Sequence, residues 1–295
     1  MKKKALISVI AIALVAILMS IPSVQAVAMS ALSVFRVGTP KTIKVTVADI
    51  EEVMNYFEQY KGQFDHEYIE ESDIRGAIYN ERPEIKTLSD VSEFDGFNFK
   101  LPTALANETP TLYATDSESN TVSVDTAKIN EALSKLGSED LIDERYDGSE
   151  ITVNASPSIA AKYADVILFA SQGANIDGND DLIDSLWSSM LNMPFISENL
   201  RSQLSKVNIK SGDVYLPAIM GLGRETSVGN ATGYIYSMQD FDQVISSFSK
   251  GLMEGYEENI DKEGSALLWI KDGILYCLVS EKSDGELTQI ARSIP

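Results

Sequence analysis

Hydrophobic and polar positions divide the chain into two unequal parts. From Lys4 to Arg36 no charged residue intervenes, and Ala5 to Ile21 is built almost wholly of Ala, Leu, Ile, Val and Met. After that run the apolar positions follow either a two-residue or a helical period. Thr42–Thr46 alternates as a strand. Thr46 then opens a helix with Asp49 three residues on, as in a capping box, and Ile50, Val53, Met54 and Phe57 make its apolar face. His66 to Asp95 is acidic, poorly periodic and interrupted by Pro83, which predicts a linker.

From Phe97 onward the pattern is denser. Phe97–Pro102, Thr111–Thr115, Thr121–Val124 and Glu150–Asn154 read as strands, with a turn at Asp116–Asn120. Asp125 caps a helix carrying Ile129, Ala132, Leu133 and Leu136 and ending at Gly137. Ser156-Pro157 predicts a second helix start, followed by Ile159, Ala160 and Tyr163, because proline suits the first helical position. Val166–Ala170 is a continuous apolar run, as in a buried strand. Asp181 opens a helix with the stripe Leu182, Ile183, Leu186, Trp187, Met190 and Leu191. Ser197 opens another, with Leu200, Leu204 and Val207 inward and Ile196 as a staple. Strands follow at Val214–Leu216 and Tyr234–Tyr236, then a helix with Phe241, Val244, Ile245 and Phe248. The last unit is a hairpin, Ala266–Ile270 and Ile274–Val279 around Asp272-Gly273, closed by a helix with Leu287, Ile290, Ala291 and Ile294. Strands and helices interleave without regular βαβ spacing. The fold class expected is therefore α+β: antiparallel strands with interleaved helices, following an N-terminal membrane or signal helix. Three regions are expected: 1–35, the membrane segment; 36–95, a juxtamembrane strand–helix and acidic linker; and 96–295, the globular domain.

Charge gives the first segment its meaning. Lysines ahead of an apolar run hold the amino end in the cytoplasm, so the rest of the chain is exported. Ala5–Ile21 approaches the ~20 residues that cross a bilayer, which predicts a single-pass protein of a bacterial cell membrane with its domain outside. Val24-Gln25-Ala26 offers the other outcome, cleavage and secretion after Ala26. No Cys lies near the segment, which excludes a lipid-anchored lipoprotein. The chain holds 24 Lys and Arg against 44 Asp and Glu. Setting aside Lys2, Lys3 and Lys4 leaves 21 bases against 44 acids, a balance of −23. Such a charge argues against nucleic acid as a partner and keeps the domain off an anionic membrane surface.

Composition and motifs offer little catalytic chemistry. With one His and one Cys, a zinc ribbon, a CxxC redox centre and a His-rich metal site are excluded. His66-Glu67-Tyr68-Ile69-Glu70 starts like a zincin helix but has Glu where the second His belongs. Asn175–Asp181 has the alternating carboxylates of a calcium loop without its bidentate Glu, and fits a turn and cap. Gly221-Leu222-Gly223-Arg224 lacks the GK[ST] of a phosphate loop. Glu257, Glu258 and Asp261 form a charge run on a solvated face. Cys277, Trp187 and Trp269 fall in apolar stripes and read as core. No catalytic residue, cofactor or metal ligand is assigned, and an enzyme is not expected.

Several stretches resemble a known family. These are Ala31–Val37, the Leu-Pro ending of Phe99-Lys100-Leu101-Pro102, Ser156–Ala170, Leu191–Phe195 with Asn199–Leu204, and Leu268–Tyr276 with Ile290–Ile294. Together they resemble the DUF4367-type extracytoplasmic domain of bacterial envelope proteins related to membrane-bound anti-sigma-type regulators. The chain departs from the regulator architecture in having only Met1–Lys4 ahead of the membrane segment. The resemblance implies a sensor or transporter-associated role in which the domain binds an envelope protein or an apolar ligand, lipid or peptide.

Overall fold

The computed structural model describes residues 41–60, 84–211, 214–237 and 264–295. Over these residues the protein is a mixed α+β fold with mostly antiparallel sheets. The expected membrane segment, His66, the helix around Phe241–Phe248 and the Glu257–Asp261 run lie outside them. Among the described residues no helix is long and apolar enough to cross a membrane.

Eight strands form one antiparallel sheet. In spatial order these are β10 (Arg224–Val228), β11 (Ala231–Ser237), β12 (Ser265–Lys271), β13 (Ile274–Ser280), β7 (Val166–Ser171), β6 (Ser158–Lys162), β3 (Thr111–Thr115) and β2 (Lys86–Leu88). Its register lines up apolar side chains from strand to strand. Leu88, Leu112, Ala161, Leu168, Leu278, Leu267 and Ile235 make a row across one face. The neighbouring row carries Trp269, fully buried and stacked on Tyr276 with ring centroids 5.1 Å apart. Gly233 stands opposite Trp269; a Cβ there would come within 3.3 Å of the Trp269 Cβ and 3.0 Å of the Leu268 carbonyl. Helix α5 (Asp284–Arg292) covers this face with Leu287, Ile290 and Ala291, joined by Phe99 and Leu105. Its Ser283–Glu286 capping box fixes where it starts.

A second body packs around three strands, β4 (Glu118–Ser123), β5 (Glu150–Ala155) and β8 (Asn175–Gly178). Helices α2 (Thr126–Lys135), α3 (Asp180–Leu191) and α4 (Glu198–Leu204) enclose its core with Leu133, Ile151, Leu182, Leu200 and Leu204. Strand β1 (Lys41–Thr46) and helix α1 (Val47–Tyr60) close the same core through Ile43, Val45, Val53 and Tyr56. Of the expected apolar face of α1, Ile50 and Val53 are half-buried; Met54 and Phe57 fall outside the described side chains.

Strand β9 (Tyr215–Met220) joins the two bodies. Among the described residues it pairs only with β1, in parallel, from Lys41–Tyr215 to Thr46–Met220. Alternation sends Tyr215 into the helical core, while Leu216 and Ala218 go against the large sheet beside Leu268 and Tyr236. On the edge away from β1, the Tyr236 hydroxyl donates to the Pro217 carbonyl and accepts from the Ile219 N–H, each at 3.1 Å. A phenol thus takes the place of a neighbouring strand where Pro217 has no N–H to offer. Its ring lies over Gly223, where a Cβ would stand 2.5 Å from the Tyr236 Cε1. This close approach accounts for Gly223, and a φ of 95° accounts for Gly221, in the turn between β9 and β10.

Five local expectations are corrected. Ser158–Lys162 is a strand, not a helix: it lies between β3 and β7, and two flanking ladders outweigh the Ser-Pro start signal. Phe97–Pro102 is irregular, with the Phe99 N–H bonded to the Phe97 carbonyl at 2.7 Å, although Phe99 is buried as a strand residue would be. Asn179, not Asp181, caps α3. The turn at Asp116–Asn120 is shorter than expected, since β4 starts at Glu118, and it carries the chain from one sheet to another. Finally, Lys86–Leu88 in the expected linker is the edge strand β2, and Arg224–Val228 is a strand the pattern did not announce. The hairpin at Asp272-Gly273 is as expected, with φ of 50° and 85° at its two turn residues.

Replacing Tyr236 by Phe leaves a half-buried carbonyl and a half-buried N–H on β9 without that hydroxyl. Urea denaturation is expected to show a loss of about 1–3 kcal/mol, with the far-UV spectrum of the folded protein unchanged.

Candidate functional site

Helix α4 has only seven residues, and three of its sides do different work. Leu200 and Leu204 enter the core. Asn199 and Gln203 face β1. The Gln203 amide accepts from the Lys44 N–H at 2.8 Å and donates to the Lys44 carbonyl at 2.9 Å. A single side chain therefore satisfies both backbone groups of one strand residue, as an adjacent strand would.

The N-terminus of α4 is tied to the N-terminus of α1. Thr46 and Asp49 form the capping box expected from their spacing: the Thr46 N–H and hydroxyl donate to Asp49 Oδ2 at 2.7 Å each, and the Asp49 N–H returns to the Thr46 hydroxyl at 3.1 Å. Asp49 also accepts from the Asn199 amide at 3.0 Å and from the Ser197 hydroxyl, which in turn caps α4 by accepting from the Leu200 N–H. Only 5 % of Asp49 is exposed. Burial pushes its pKa upward, but the hydrogen bonds from Ser197, Thr46 and Asn199 outweigh that and hold it below the ordinary value of 3.8.

The remaining side of α4 borders an open cleft of about 530 Å³ against the end of α3, bounded by Ser188, Asn192, Glu198, Ser202 and Ser205. Arg201 braces it. Its guanidinium donates to the Leu191 carbonyl at 2.8 Å, at the electronegative end of α3, and to the Ile196 carbonyl at 3.1 Å in the connection to α4. The arrangement offers hydroxyls, an amide and a carboxylate, a lining suited to a polar ligand held by hydrogen bonds. A ligand there would touch the same short helix whose opposite side grips β1.

The motifs singled out in the sequence are spread over the fold rather than gathered here. In the calcium-like run, Asn175 and Asp177 belong to β8, and Asp177 accepts from the Asn154 amide at 2.6 Å. Asp180 pairs with Lys210 at 3.4 Å. Among the described residues no group of three or more metal-ligating side chains converges. Cys277 sits on β13 between Phe169 and Leu268 of the flanking strands, and burial pushes its thiol up to about 12. Trp187 and Trp269 each bury an indole N–H that finds no partner among the described residues. The residues missed beforehand are Asn199, Gln203 and Arg201. The i, i+4 spacing of Asn199 and Gln203 beside Leu200 and Leu204 was a visible cue; the partners, Lys44 and the Leu191 and Ile196 carbonyls, were not.

Because the folded Asp49 carboxyl titrates below its unfolded value, the unfolded chain takes up the proton first as pH falls. The stability that Asp49 contributes is complete at neutral pH and is lost as pH drops through 3.8 and then through the lower folded value. Asp49→Asn is therefore expected to cost about 1–3 kcal/mol at pH 7 and to flatten the acid limb of a denaturation series. The single thiol supplies a separate test. At pH 8 Cys277 of the folded chain is expected to react with an aromatic disulfide reagent about a hundredfold or more slowly than in denaturant, because almost none of it is thiolate.

Comparison with known proteins finds no family model, no curated protein and no solved structure that matches this chain.

Proposed function

We propose that the protein is a non-enzymatic, single-pass envelope protein whose outward-facing acidic domain binds or senses a ligand or an envelope partner. The observation that carries this reading is the grip on β1. This strand begins about twenty residues after the apolar run and is tied into the fold by Ile43, its buried residue. It pairs with β9 along its length, Gln203 clasps its free edge, and the Asp49 junction secures the helix that follows. A tether at Ala5–Ile21 would act on that paired, half-exposed strand rather than on an unpaired tail. Binding in the α3–α4 cleft would act on α4, and through Gln203 and Asn199 on β1, so cleft and tether share one mechanical element. The −23 balance beyond the lysines keeps the domain clear of an anionic bilayer. The DUF4367-type likeness belongs to the same reading and rests on its motifs.

Fractionation of cells expressing the full chain tests it. The protein is expected to sediment with membranes, to resist extraction by high salt, to dissolve in detergent, and to lose its domain to protease added outside. A membrane-free protein whose amino end is Val27 would overturn the tether in favour of a secreted accessory or substrate-binding protein.

A further inference from the structure

The two ends of the eight-stranded sheet are finished differently. At β10 the Arg292 guanidinium donates to the Ser227 carbonyl at 2.7 and 3.0 Å, and Arg224 pairs with Asp284. At β2, among the described residues, no hydrogen bond reaches the outward backbone edge of Lys86–Leu88. Lys86 and Leu88 share a sheet face with Ala114 and Leu112. On that face a cleft of about 530 Å³ opens beside them, rimmed by Glu93, Asp95 and Asp116. Phe94 and Pro157 wall it and are held tightly together; a Cβ on Gly96 would come within 2.6 Å of the former and 2.5 Å of the latter. Lys86, the cation in the rim, already lies against Asp116. That hydrogen bond raises its pKa against a small opposing effect of burial, and Asp116, Glu84 and Asp95 add to the negative field. On the opposite face Ile85, just before the strand, leaves 61 % of its surface in water.

We propose that this edge docks an extended, basic peptide segment. The segment adds as a ninth strand beside β2, with alternate Lys or Arg side chains against Glu93, Asp95 and Asp116 and the intervening apolar side chains beside Ile85. Short edge strands bearing a lysine ordinarily discourage pairing. Here the acidic rim decides which strand is discouraged: it repels further copies of this acidic chain and attracts a basic one. The free edge of β4 does not compete, since its Ser119 and Thr121 hydroxyls are spent on Asn154 and Thr152 and it carries no exposed large apolar side chain. The inference rests on the domain being a binding body but not on its tether or on the α3–α4 cleft.

The test is fluorescence anisotropy of the detergent-solubilised full chain with a labelled peptide of alternating Lys and Val, at low and at physiological salt. Two control peptides accompany it: a block isomer with its lysines grouped, and the alternating peptide N-methylated on every second amide. The alternating peptide is expected to bind about tenfold more tightly than either control. Asp95→Asn with Asp116→Asn, and separately Ile85→Ser, are expected to weaken it about tenfold while the far-UV spectrum stays unchanged. Equal binding of the alternating and block peptides would reduce the effect to diffuse charge attraction and overturn the proposal. So would an absence of binding at low salt, or a concentration-dependent dimer abolished by Ile85→Ser, which would make the occupant a second copy. Failure here with membrane fractionation as expected leaves the tethered domain standing and removes only this partner.

Discussion

The fold depends on a parallel strand pair, isolated among the described residues, whose outer edges are held by side chains. Parallel strands normally sit deep within larger sheets, because each edge carries backbone groups that need partners. Among the described residues strands β1 and β9 have only each other, and the outer edge of each meets a side chain: the Gln203 amide on β1, the Tyr236 hydroxyl on β9. The pair can then act as a partition, with Tyr215 and Ile43 on one side and Leu216 and Ala218 on the other. Two cores that would otherwise be separate bodies share this wall. Without the Tyr236 hydroxyl the partition would leave part-buried polar groups on β9 unsatisfied, which carries a cost. On β1 the Lys44 groups lie at the surface, where Gln203 fixes geometry more than it relieves burial.

The same economy explains the placement of several residues that look unremarkable in the chain. Gly223 has no side chain because the Tyr236 ring occupies that space. Ser197 caps its own helix with one lone pair and uses its proton on Asp49, so two helix starts share one junction. Arg201 is directed to carbonyls at the end of α3 and in the connection to α4 rather than to a carboxylate. In so acidic a chain, this basic group is committed to internal architecture.

Much of this was legible beforehand where the signal was local. The Asp272-Gly273 hairpin, the Thr46–Asp49 box, the Asp125 and Ser197 caps and the stripes of α3 and α5 are decided by residues within one or two turns of each other. What was misread depended on distant partners. Ser156-Pro157 carries a genuine helix-start signal, yet Ser158–Lys162 lies between β3 and β7, and its run of small residues fits a strand buried on both faces. Arg224–Val228 is polar and half-exposed, so only its pairing with β11 makes it a strand. The α4 junction was hidden for the same reason. Asn199 and Gln203 announce a polar helix side, but nothing near them in the chain points to Lys44.

That separation has a temporal side. Lys44 and Gln203 are 159 residues apart, and closing so long a loop costs on the order of 4–5 kcal/mol in chain entropy before any contact repays it. β1 leaves the ribosome long before β9, α4 or β11 exist. Through most of synthesis it is an amphipathic strand with two bare edges and no partner. Its assembly belongs to the last steps of folding, and the part of the chain nearest the apolar segment is then the last to gain its native surroundings.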